Sequence, residues 1–153
     1  MVNLLGSIDA MRTLVPLTVC VLALLCGCGR KGYTQGGGDA GQFILQRALA
    51  SGGRPIATNG LPAISGEWRY VQDEFGVAVF FPVSQFSAVD AYLRSAFGPP
   101  SSQAGWDVRD VGVAIYLQRV GSNTQVGIFP PMSEEQMGRA AQKITEEFEK
   151  HTR

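Results

Sequence analysis

The sequence predicts a small α+β protein of two layers, with a four-stranded, mainly antiparallel sheet carrying two helices on one face. Three observations carry that expectation. From Glu67 onward, two pairs of β-prone runs are each followed by a stretch with helical spacing, a ββα-ββα order. Each second run stops at proline on a strand-to-helix corner, Phe80-Phe81-Pro82-Val83-Ser84 and Phe129-Pro130-Pro131-Met132-Ser133. The three cysteines, Cys20, Cys26 and Cys28, all stand near the N-terminus, so no disulfide staples this body and packing alone must hold it. A chain of 153 residues suits one domain of this kind with a tail.

The elements follow in order. Trp68 to Gln72 and Val77 to Phe81 are rich in aromatic and β-branched residues and flank Asp73-Glu74-Phe75-Gly76, which reads as a hairpin with Gly76 available for a positive φ. Pro82 ends the second strand, lacking the donor a ladder needs. Ser84 fits an N-cap, and Val89, Tyr92, Leu93, Ala96 and Phe97 recur at helical spacing until Gly98 and Pro99-Pro100 stop the helix. After a loop from Ser101 to Gly105, Trp106 leads to Val111, Val113, Ile115 and Leu117, which alternate with Gly112, Ala114, Tyr116 and Gln118 as in a half-buried strand. Gly121-Ser122-Asn123 turns the chain into Thr124 to Phe129. Ser133-Glu134-Glu135-Gln136 is a capping box, and Met137, Ala141, Ile144 and Phe148 give the last helix its apolar stripe.

Ahead of residue 67 the organisation is looser. Residues 42–66 form a loop-rich segment whose first part, Gln42 to Ala50, reads as a short helix ending at Ser51-Gly52-Gly53. Phe43, Leu45 and Leu49 do not share one face, so the spacing leaves open whether this helix docks. Residues 28–41 hold six glycines and few apolar side chains, the composition of a flexible tether. The compact domain is therefore expected over residues 67–153.

The N-terminus carries an address. Leu14 to Leu25 is an apolar run, preceded by Arg12, that falls well short of the about 20 residues a membrane-spanning helix needs. A cation, an apolar stretch of this length and small residues at its end form a secretory signal peptide, residues 1–27. Leu25-Cys26-Gly27-Cys28 resembles the lipobox of bacterial lipoproteins, with an aliphatic residue at minus three and a small residue at minus one before the modified cysteine. The resemblance implies cleavage before Cys28, diacylglycerol on its thiol, frequent acylation (palmitate among the fatty acids) of the new amine, and a location in the cell envelope. Gly29, where the inner-membrane retention rule wants Asp, favours the outer membrane if the host has two. Two or three acyl chains hold stably where one would not. Met11-Arg12 makes a more conventional start than Met1, since Met1 to Ala10 contains no cation. Processing removes Asp9 and Arg12 together and leaves the charge balanced.

Two motifs in this segment lack their context. Gly27-Cys28-Gly29-Arg30-Lys31-Gly32 has dinucleotide-site spacing but neither the strand before it nor the helix after it. Cys26 and Cys28 have no further Cys or His nearby to complete a metal set. No cofactor or metal site is expected.

With 13 Lys and Arg against 13 Asp and Glu, no basic surplus exists for nucleic acid. A Ser-His-Asp or Cys-His site would have to use His151, the only histidine, and neither a Gly-x-Ser-x-Gly elbow nor a His-Glu-x-x-His motif occurs. The best carboxylate groups, Asp73-Glu74 and Asp107 with Asp110, fall in or beside loops, where carboxylates commonly serve turns. They leave a small envelope hydrolase as the alternative function. Binding without catalysis is the expectation, with Trp68, Tyr70 and Trp106 as aromatic contacts unless the core claims them. Ala114 and Tyr116 stand on a flat, thinly covered sheet face opposite the helices, open to a partner or a second copy. The expected partners are the membrane, through Cys28, and a protein or cell-wall ligand of the envelope.

Overall fold

Short antiparallel ladders need a partner on each side, and the chain supplies two more than its periodicity shows. In a computed structural model, which describes residues 33–103, 105–140 and 142–143, the elements are β1 (Thr34–Gln35), α1 (Ala40–Ala50), β2 (Arg69–Gln72), β3 (Val77–Pro82), α2 (Phe86–Phe97), β4 (Gly105–Trp106), α3 (Val108–Val111), β5 (Ala114–Val120) and β6 (Asn123–Phe129). The protein is α+β, with a single antiparallel sheet of six strands in the order β1-β2-β3-β6-β5-β4. The four expected strands form its centre, and the two hairpins meet through their second strands, Val79 opposite Val126. The two edge strands are additions. Each is two residues long, too short to show an alternation in sequence.

The chain divides into two compact units, Gly32–Pro131 and a second that includes Met132–Arg153. In the first, one sheet face supplies Val77, Val79, Phe81, Ile115, Val126 and Ile128 to a core completed by α1 and α2. Val89, Tyr92, Leu93, Ala96 and Phe97 are the buried residues of α2, the five positions that the helical spacing picks out. Burying each large apolar side chain contributes about 1.5–3 kcal/mol. In the second unit the helix beginning at residue 134 has the expected capping box. The Gln136 amide donates to Ser133 Oγ at 3.2 Å, and the Ser133 amide donates to Gln136 Oε1 at 2.8 Å.

Several expectations are corrected. Residues 33–41 are part of the fold: Thr34 and Gln35 pair with Tyr70 and Arg69. The glycines here allow close approach, since a Cβ on Gly36 would lie 2.2 Å from the Trp68 ring and one on Gly41 2.5 Å from that of Tyr92. Helix α1 docks because Ile44, Leu45 and Ala48 form its buried face, while Leu49 points away. The body therefore extends well ahead of Glu67. Gly76 has no positive φ; it is needed because a Cβ would lie 2.5 Å from both Ile128 O and the Phe129 ring. Ser84 does not cap α2, which follows a 3₁₀ turn at Val83–Gln85 and has no side-chain cap. Val111 ends α3 instead of opening β5, and Gly112 follows at φ 82°, a conformation that favours glycine. Residues 1–27, expected as a signal peptide, together with Cys28, Ala141, Ile144, Phe148 and His151 lie outside the described residues.

Candidate functional site

The sequence-predicted contacts do not converge. Trp68 is 4% exposed and Trp106 is 2% exposed, and they belong to opposite margins of the sheet. The Trp68 indole N–H donates to Gly38 O at 3.1 Å, and its ring packs 4.8 Å from that of Phe43. Half-buried Tyr70 joins the same cluster, 4.7 Å from Phe43. The Trp106 indole N–H donates to Gly98 O at 2.9 Å. Both indoles are thus core residues with satisfied donors, and they offer almost no surface to a ligand. Tyr70 is the one aromatic of the three with substantial exposure.

Ala114 and Tyr116 lie on the sheet face opposite α1 and α2, and both are half-buried. This face is not the open plane that its small residues predict. Ala78, Phe80, Gln125 and Phe129 are buried there. Gly127 leaves room for Phe129, two residues further along the same strand: a Cβ on Gly127 would lie 2.7 Å from the Phe129 ring. That ring also packs 6.0 Å from Tyr116. The small residues mark space that an aromatic fills.

The carboxylates considered for chemistry hold loops. Asp73 Oδ1 accepts from the amides of Phe75 at 2.8 Å and Gly76 at 3.1 Å, closing the first hairpin. Asp107 caps α3 by accepting from the Arg109 amide at 3.0 Å. Asp110 Oδ2 accepts from the Ser101 hydroxyl, whose Oγ in turn accepts from the Asp107 amide at 3.2 Å. Among the described residues no three His, Cys, Asp or Glu side chains gather as a metal set. No helix among them is long and apolar enough to cross a membrane.

A cleft of about 330 Å³ opens where β1 and β3 end, β2 begins and the β5–β6 turn closes. Gln35, Glu67, Arg69, Ser122 and Asn123 supply its polar groups, and buried Trp68, Phe80 and Phe81 back it. The strand register aligns part of this wall, because Gln35, Arg69 and Phe80 lie opposite one another across β1, β2 and β3. Local contacts hold it in shape. The Gln35 side-chain Nε2 donates to Trp68 O at 3.1 Å. The Arg69 guanidinium lies 4.4 Å over the Tyr33 ring, which meets Phe80 edge-on at 5.2 Å. The Val83 amide donates to Ser122 O at 2.9 Å and fixes the turn. One charge of each sign, two amides and a hydroxyl around one cleft can orient a ligand through several hydrogen bonds. Sequence reasoning missed this group. The Arg69–Phe80 pairing follows from the hairpin, but Gln35 joins only through a strand that leaves no pattern. Protein-family models, curated proteins and solved structures give no match to this chain, so the cleft is read from its own chemistry.

Proposed function

We propose that the protein is a lipid-anchored component of the bacterial envelope that displays a small, non-catalytic binding domain, and that the cleft at Glu67, Arg69 and Asn123 takes its ligand. The cleft is the observation that carries the binding part: it collects charges of both signs, two side-chain amides and a hydroxyl. The Asp73, Asp107 and Asp110 carboxylates are engaged in loop hydrogen bonds, which favours binding over the carboxylate-hydrolase alternative. The anchored part rests on Leu25-Cys26-Gly27-Cys28 and the apolar run before it.

Each part has its own test. Mass spectrometry of the N-terminal peptide from native envelopes should find acyl chains on Cys28; an unmodified thiol there refutes the anchor. Crosslinking capture from the same envelopes should recover a protein or cell-wall fragment whose yield falls at least several-fold in Glu67→Arg and Ser122→Arg chains, with Gln42→Arg as an exposed control. A yield unchanged by both cleft variants removes the cleft from the function.

A further inference from the structure

The two charges of the cleft have no partners of their own. Glu67 and Arg69 both line it, with buried Trp68 between them turned into the core, and two steps along an extended chain keep their Cα atoms within about 7 Å. Among the described residues neither side chain enters an ion pair or a hydrogen bond. The Arg69 guanidinium lies 4.4 Å over the Tyr33 ring, so it is held by its face and its N–H edge is left for a ligand.

The main chain is open at the same place. The Asp73 amide donates to Gly76 O at 3.0 Å. In the β2–β3 register this makes Asp73 with Gly76, Val71 with Ala78 and Arg69 with Phe80 the hydrogen-bonded rungs. The next rung falls on Glu67 and Pro82, and it does not form. Proline has no N–H to give, and the Glu67 amide makes no backbone hydrogen bond either. The ladder therefore ends in an unpaired amide and carbonyl of Glu67, between two residues of the cleft wall. The Ser122 hydroxyl and the Asn123 side-chain amide also have no hydrogen-bond partner among the described residues.

We propose that the cleft binds a short peptide with free ends, its carboxylate on Arg69 and its ammonium on Glu67. The assignment rests on the cleft being the binding site. A neutral sugar would cover both charges and pair neither, and a phosphate or dicarboxylate on Arg69 would be repelled by Glu67 in the same cleft. A zwitterion pairs both. A peptide in addition carries amides, which match the main-chain groups of Glu67 and the side chains of Ser122 and Asn123. At about 330 Å³ the cleft is at the small end of ligand sites, which limits the peptide to a few residues.

The test is a titration of the full ¹⁵N-labelled chain, in a non-ionic detergent, with trialanine, N-acetyl-trialanine, trialanine amide and phosphoethanolamine, read by amide chemical shifts. Trialanine is expected to give saturable shifts at residues 67–69 and 122–123, and each capped form to bind several-fold more weakly. Glu67→Gln should erase the discrimination against the acetylated peptide, and Arg69→Met that against the amidated one. Equal binding of free and capped peptides to the wild-type chain overturns the proposal, as does phosphoethanolamine binding more tightly than trialanine, which would make the ligand a lipid headgroup. If trialanine gives no saturable shift while capture from envelopes still falls in Glu67→Arg and Ser122→Arg chains, the peptide is refuted and the cleft stands; if capture is unchanged as well, both are refuted.

Discussion

Substitution of Gly36 by alanine tests whether residues 33–39 belong to the folded body or merely lead to it. The new methyl carbon would stand 2.2–2.3 Å from three atoms of the Trp68 ring, far inside van der Waals contact. Either the indole leaves its site or the strap lifts from β2. Lifting forfeits the bond from the Gly36 amide to Trp68 O at 2.9 Å and the one from the Trp68 indole to Gly38 O at 3.1 Å, each contributing about 1 kcal/mol. Keeping the strap in place overpacks the site at a similar cost of about 1–3 kcal/mol. The expected destabilisation is therefore about 1–3 kcal/mol, with the strap's own contribution as the ceiling if it peels away alone. Gly37 is the matched control, since a Cβ there meets nothing within 4 Å. Urea unfolding followed by tryptophan fluorescence measures global stability, and limited proteolysis reports cutting within 33–39. If Gly36→Ala matches Gly37→Ala in both assays, the strap is not packed as described and the reasoning fails.

Three further outcomes follow from the same structure. Tyr92 is buried and its hydroxyl donates to Gly41 O; burial, with Asp39 nearby, pushes its pKa up to about 12. The unfolded chain releases this proton near pH 10 while the folded chain retains it, so stability is complete below pH 10 and falls by up to about 3 kcal/mol as pH rises toward 12. Tyr92→Phe should flatten that alkaline limb relative to the wild-type chain, and an unchanged slope in urea titrations across pH 9–12 would assign it to other groups. Trp106→Phe leaves the buried Gly98 carbonyl without the indole donor and is expected to lower unfolding free energy by about 1–3 kcal/mol; a loss under 0.5 kcal/mol would mean that the bond carries no net weight. Ser133→Ala removes one half of the capping box and should speed hydrogen exchange in the first turn after residue 133 by the equivalent of about 1 kcal/mol, whereas unchanged protection would show that the cap is dispensable.

Legibility in the sequence followed the length of the pattern. The two central hairpins, the buried stripe of α2 and the Ser133 capping box could all be read, because each is set by side-chain alternation, helical spacing or turn chemistry within about a dozen residues. The N-terminal glycines misled for a physical reason: composition alone does not distinguish glycine that frees a chain from glycine that lets an indole lie against the backbone. Helix α1 is legible but its docking face is not, since that face joins Ile44 and Ala48 to Leu45 and leaves Leu49 exposed. At the candidate site, Trp68 and Trp106 had the right chemistry for contact, but burial claimed both.

The sequence by itself determined that residues 29–153 contain no cysteine for a disulfide and that hairpins and a helix stand in the body, and it carries a stretch, Leu25 to Cys28, that resembles a lipobox. Only the tertiary structure decided that six strands join in one sheet, that the strap from Tyr33 to Asp39 belongs to it, and that Gln35, Arg69, Phe80 and Asn123 share one cleft. These last facts depend on pairings between segments far apart in the chain. A two-residue strand has no periodicity of its own, and it exists only because Arg69 and Tyr70 present a ladder for it to complete.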